Sequence, residues 1–95
     1  MWVHTNVEEI IGVKLRYPRP IIDGFRFKFK NGKTVRLNYT VEPMEKGYFY
    51  KFTPSLKLKG NEEGHIQFHI SEDIDEILDL TIVATKIVTR VRVES

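Results

Sequence analysis

Basic side chains recur on one phase of the clearest strand pattern in this chain. Arg26, Lys28 and Arg36 alternate with apolar residues, and Phe49 and Lys51 fall on the corresponding phase of the next predicted strand. Cations that follow phosphates, together with an aromatic ring on which a base can stack, are what a sheet surface needs to bind single-stranded nucleic acid. The sequence therefore predicts a nucleic-acid-binding surface made of Arg26, Lys28, Arg36, Phe49 and Lys51.

The charge of the chain is distributed unevenly along its length. Residues 1–60 contain 12 Lys/Arg and 5 Asp/Glu, whereas residues 61–95 contain 3 and 8, for a net charge of +2. Such asymmetry is typical of proteins that bind polyanions. The more usual explanation is that the two halves neutralise each other, within one molecule or between copies.

The histidines do not predict a metal site. His65 and His69 share one face of a predicted strand, but four residues at ~3.3 Å each place them about 13 Å apart. One ion with ~2.1 Å bonds cannot bridge that distance. The chain has no cysteine, which excludes disulfides and thiolate ligands. The acidic stripe Glu72, Asp75, Glu76 and Asp79 is typical of a solvated helix face. No metal and no cofactor is expected.

Catalytic motifs are equally scarce. None of Ser55, Ser71 and Ser95 lies in a nucleophile-elbow pattern, and no glycine loop of the phosphate-binding type is present. Acid–base chemistry would need Asp23, Glu42 or the histidines to meet in a cleft. The sequence favours a non-enzymatic binding module, with single-stranded nucleic acid as the expected partner. The alternative is a protein-interaction or self-assembly module.

The basic residues are positioned by a predicted β-hairpin over residues 24–42. Apolar and polar residues alternate on both sides of Asn31-Gly32, which is typical of a hairpin turn. A two-residue loop would mix phenylalanines with charges on one face. A three-residue loop, Lys30 to Gly32, pairs Phe27 with Val35 and keeps the apolar face continuous, so we expect that register.

The whole pattern predicts a mainly β protein. Strands are expected near residues 10–17, 21–30, 33–42, 47–58, 65–70 and 80–93, and a short helix near 72–79, before the last strand, with Ser71 as its N-cap. The predicted fold is an antiparallel six-stranded meander that forms a small barrel or a two-layer sandwich. A single sheet with the helix on one face is the alternative. An exposed edge at 85–93 would allow self-assembly between copies.

The length of 95 residues corresponds to a single β-rich domain over residues 1–95. No segment approaches ~18 consecutive apolar residues, and residues 1–10 lack the pattern of a signal peptide, so we expect a cytoplasmic protein with no membrane partner. Charged residues make up 29% of the chain, with ten Ile, nine Val and one Gln, a composition that leans toward a thermophilic source.

Overall fold

The computed structural model describes residues 9–59, 62–74, 77, 79–85 and 90–91. Eight strands lie in these ranges: β1 (Glu9–Leu15), β2 (Ile22–Phe29), β3 (Thr34–Leu37), β4 (Tyr39–Met44), β5 (Gly47–Lys57), β6 (Gly64–Ile70), β7 (Leu80–Ala84) and β8 (Arg90–Val91). The protein is therefore mainly β, as predicted.

The strands form two four-stranded sheets. Sheet A has the order β4-β5-β1-β7 and sheet B the order β3-β2-β6-β8. The pairings are antiparallel except that β8 runs parallel to β6. The described strands do not close into a barrel. The six-stranded meander is not confirmed either, because β1 lies between β5 and β7 rather than beside β2.

The hairpin β2–β3 has the predicted register. Phe27 lies opposite Val35 and Phe25 opposite Leu37, while the Phe29 amide donates to the Lys33 carbonyl at 2.8 Å. The Asn31 Oδ1 accepts the Lys33 amide at 2.9 Å. Gly32 has a φ of 95°, a conformation that glycine adopts without a steric penalty. The three-residue loop is confirmed.

The predicted strand 33–42 is two strands that belong to different sheets. It divides at Asn38, with β3 in sheet B and β4 in sheet A. The Asn38 carbonyl accepts the Thr53 amide at 2.9 Å, so the crossing residue is held against β5. A single residue thus carries the chain from one sheet to the other while the alternation of side chains continues.

The predicted helix near 72–79 is not confirmed, because none of the described residues in this range is helical. Ser71 does not cap a helix. Its amide and its Oγ both donate to the Ile21 carbonyl, at 2.7 and 3.0 Å. Glu72 forms two hydrogen bonds with the Arg19 guanidinium. These contacts tie the segment to the chain that leads into β2.

The predicted C-terminal strand 80–93 is also divided. β7 pairs with β1 in sheet A, and β8 pairs with β6 in sheet B. The Thr85 amide donates to the Glu9 carbonyl at 3.0 Å, where β7 ends.

One hydrophobic cluster contains the inward side chains of both sheets. The alternation of the strands and the helical spacing near 72–79 predict a core of eleven residues. Six of them are buried: Phe25, Phe27, Leu37, Phe52, Leu58 and Phe68. Five further residues of the predicted core are only half-buried: Phe29, Val35, Tyr39, Ile77 and Ile82. The Phe25 ring meets the rings of Tyr39, Tyr50 and Phe52 edge-on at 5.0–5.6 Å. These aromatic contacts join the hairpin of sheet B to sheet A.

Candidate nucleic-acid interface

Three predicted site residues lie together on the outer face of sheet B. Arg26 on β2 is directly opposite Arg36 on β3, and Lys28 is the next outward residue along β2. All three are exposed, while their neighbours Phe25 and Phe27 point into the core. We call Arg26, Lys28 and Arg36 the cationic face.

The cationic face has no carboxylate partner among the described residues. The cross-strand neighbour of Arg26 on its other side is Gln67, and those of Lys28 are Thr34 and His65. Like charges directly opposite each other destabilise a sheet. An anion that bridges the two guanidinium groups would relieve this repulsion, because arginine offers a planar set of donors to phosphate oxygens.

The other two predicted residues, Phe49 and Lys51, lie on sheet A. On β5 they alternate with Tyr50 and Phe52, which are buried. Phe49 and Lys51 therefore point away from the core. Arg26, Lys28 and Arg36 belong to sheet B, whereas Phe49 and Lys51 belong to sheet A. The structure therefore does not bring the five predicted residues together, because the phase of a strand does not reveal the sheet to which it belongs.

Local packing accounts for the half-buried ring of Phe49. The Lys14 ammonium lies 5.9 Å from the ring centroid, and Lys14 is opposite Phe49 across the β1–β5 pairing. A Cβ atom on Gly12 would lie 2.6 Å from the Phe49 ring. The aromatic ring thus covers the backbone of β1, which is a structural role.

A concavity of about 720 Å³ adjoins the cationic face. Its polar lining combines two basic, one acidic and several hydrogen-bonding side chains: Asp23, Arg26, Arg36, Asn38, Tyr39, Gln67 and His69. The concavity lies where sheet B ends and the chain crosses to sheet A at Asn38. Arg26 and Arg36 belong both to the concavity and to the cationic face, so the two features form one continuous surface.

A β-bulge brings Asp23 and His69 together beside this concavity. The pairing of β2 with β6 shifts between Ile22 and Phe25, so that two residues of β2 oppose His69. The Asp23 Oδ1 and the His69 Nδ1 are 2.6 Å apart. From the sequence, acid–base chemistry would need Asp23, Glu42 or the histidines to meet in a cleft. Of these, Asp23 meets His69, whereas Glu42 lies on β4, opposite Phe49 in sheet A.

Tyr39 is the aromatic residue that accompanies the arginines. It lines the concavity, is half-buried, and packs edge-on against Phe25 at 5.1 Å. Burial raises the pKa of its phenol above the ordinary value, and the nearby Asp23 carboxylate raises it further. The hydroxyl is therefore neutral at physiological pH and can both donate and accept a hydrogen bond.

Part of the predicted acidic stripe forms ion pairs with basic residues that follow β1. Glu72 holds Arg19 through contacts of 2.5 and 2.7 Å, and this partner lowers the pKa of the Glu72 carboxyl. Asp79 lies 3.8 Å from Arg16. Asp75 and Glu76 lie outside the described residues. Some of the opposite charge of the two halves is thus neutralised within one molecule.

Within the described ranges, no group of three or more His, Asp or Glu side chains is arranged to hold a metal ion. No helix in this part of the chain is long and apolar enough to cross a membrane. Comparison with protein-family models, with curated proteins and with solved structures gives no match to this chain.

Proposed function

We propose that this protein is a small binding module that contacts single-stranded nucleic acid through the cationic face. The observation that carries the proposal is the direct opposition of Arg26 and Arg36, with Lys28 beside them and no carboxylate partner within the described ranges. A surface of this kind is electrostatically unfavourable until an anion occupies it. A chain of phosphates satisfies several such cations at once.

The proposed surface contains fewer of the five residues than the sequence predicts. Phe49 and Lys51 face away from Arg26, so one short strand cannot contact both groups along a single sheet face. Tyr39 takes the place of Phe49 as the aromatic side chain beside the arginines. We also infer that the two sheets form a two-layer sandwich, which the shared hydrophobic cluster supports. Its two outer faces then carry different residues.

Titration of a labelled single-stranded oligonucleotide at two salt concentrations tests the proposal. Each phosphate contact contributes about −0.7 to the slope of the logarithm of the binding constant against the logarithm of the salt concentration, so three contacts give roughly −2. Arg26→Glu combined with Lys28→Glu should abolish binding at low salt. Phe49→Ala and Lys51→Glu are the matched controls on sheet A and should leave affinity nearly unchanged. Absence of binding at low salt, or equal losses in the two sets of variants, would refute the proposal.

Protein association is the second candidate, and one observation favours it. β4 is an edge strand of sheet A, and it carries the exposed apolar residues Val41 (40%) and Met44 (43%). Unpaired edge strands recruit further strands. This edge differs from the one predicted at 85–93, of which only residues 85, 90 and 91 are described. Light scattering over a range of concentrations, on wild type and Val41→Lys, tests it. A monomer at every concentration would exclude association between copies.

A further inference from the structure

We propose that the concavity beside the cationic face binds one unpaired guanine of the nucleic-acid strand. This inference rests on the proposed function and adds a base preference to a surface that would otherwise recognise phosphates alone. Phosphate contacts position a strand, whereas contacts to base edges specify sequence. The lining of the concavity contains both donors and a carboxylate acceptor suited to a base edge.

Arginine and carboxylate side chains together match the two polar edges of guanine. The base presents the acceptors O6 and N7 on one edge, which is the commonest partner of a bidentate arginine. Its N1–H and N2–H groups donate on the neighbouring edge, where a carboxylate can accept both. Arg26, Arg36 and Asp23 supply these donors and acceptors within one concavity. One arginine can hold the base while the other remains on a phosphate.

The Asp23 carboxylate is held in place but retains capacity to accept further hydrogen bonds. Its Oδ1 contacts the His69 Nδ1, and no described residue forms a hydrogen bond with Oδ2. An ionised carboxylate has about four lone-pair positions, so it retains capacity for further donors. Contact with His69 orients the group, and such support from a neighbouring residue reduces the cost of ordering a site on binding.

The other bases match this set of groups less well. Adenine places an amino donor where guanine has O6, so an arginine that approaches its N7 meets a second donor. Cytosine has two neighbouring acceptors, N3 and O2, but it offers the carboxylate a single amino group instead of two N–H groups on neighbouring atoms. Uracil has a single N–H donor between two carbonyl acceptors. Only guanine offers a two-acceptor edge to arginine and a two-donor edge to Asp23.

The size of the concavity is suitable for one nucleotide. About 720 Å³ lies within the ~300–1,000 Å³ range of small-molecule sites. Tyr39 contributes an aromatic wall whose position is fixed by its edge-on contact with Phe25. Stacking of a base on an aromatic side chain adds affinity without selecting among bases. Selection is therefore assigned to the polar groups and general affinity to Tyr39.

Competition among three oligouridylates tests the inference at low salt. One carries a single central guanosine, one a single central adenosine, and one only uridine. Wild type should bind the guanosine oligonucleotide roughly tenfold more tightly than the other two, which is the discrimination expected of one good bidentate contact. Asp23→Asn, which preserves the shape of the side chain, should remove most of this preference and leave the salt slope unchanged.

Lys28→Gln is the matched control, because Lys28 belongs to the cationic face but does not line the concavity. It should weaken binding of all three oligonucleotides by the same factor. Thermal unfolding of each variant shows whether it is folded, and His69→Gln provides a second change at the same pair of residues.

Equal binding of the three oligonucleotides to wild type would overturn the inference and leave the proposed function standing. A guanine preference that survives both Asp23→Asn and His69→Gln would also overturn it. Absence of binding to any oligonucleotide would remove the proposed function itself.

Discussion

Replacement of Arg36 by glutamate should stabilise the free protein and weaken its binding to nucleic acid. Arg36 lies directly opposite Arg26, and neither side chain has a carboxylate partner among the described residues. The substitution converts a like-charge cross-strand pair into an opposite-charge pair. The same change adds a negative charge to the surface that is proposed to contact phosphates, so stability and binding should move in opposite directions.

The size of the effect follows from the energetics of cross-strand pairs. Favourable charge pairs contribute roughly 0.2–1 kcal/mol, and like-charge pairs are destabilising, so the reversal should raise the free energy of unfolding by about 1 kcal/mol. For a domain of this size, that gain corresponds to an increase of about 4–8 °C in Tm. At about 1 M salt the Debye length is near 3 Å, and most of the gain should disappear.

Urea unfolding at low and high salt measures the effect. Lys51→Glu is the control, since Lys51 is exposed on the other outer face and lies opposite the uncharged residues Gly12 and Thr40. It introduces the same glutamate into a strand without removing a like-charge pair. If Arg36→Glu is no more stable than Lys51→Glu, or if its gain persists at 1 M salt, the cationic face is not electrostatically strained.

Two further substitutions test the core. Phe27→Ala should lower the free energy of unfolding by about 3–5 kcal/mol, because Phe27 is fully buried and its ring lies against Gly64 and Phe29. A loss below ~1 kcal/mol in a denaturant titration would contradict this packing. Burial raises the pKa of Tyr50, so the folded state favours the neutral phenol. Wild type should therefore lose stability as the pH rises above about 10. Tyr50→Phe should lose less over that range, and equal losses in alkaline unfolding experiments would show that Tyr50 does not contribute.

Local pattern was sufficient to predict the hairpin. Alternation on both sides of Asn31-Gly32 and the requirement for a continuous apolar face selected one loop length and one register, which the structure confirms. Both features depend on residues close together in sequence, such as Phe27 and Val35. Burial of Phe25, Phe52 and Phe68 was predictable for the same reason, since the period of two identifies the inward phase.

Sheet membership was not predictable, because alternation carries no information about the neighbouring strand. The side chains of Val35, Leu37 and Tyr39 keep one phase across Asn38, although the chain leaves sheet B there and enters sheet A. The predicted helix is not confirmed in the described residues, for a different reason. Ser71 and Glu72 have partners near Ile21 that are distant in sequence, and these contacts compete with the local capping preference.

Two departures from regular strand pairing meet at the candidate site. The crossing at Asn38 places Arg36 of sheet B and Tyr39 of sheet A within three residues of each other, and both line the concavity. The bulge in β2 places Asp23 against His69 at the same end of the sheet. Because the side chains of Asp23 and His69 are exposed, the fold does not need them for its core. Bulges are over-represented beside functional sites because they redirect a side chain that regular pairing would place elsewhere. We therefore expect base selectivity to depend on Asp23 at this irregular end, and affinity for phosphate to depend on the regular row that carries Lys28.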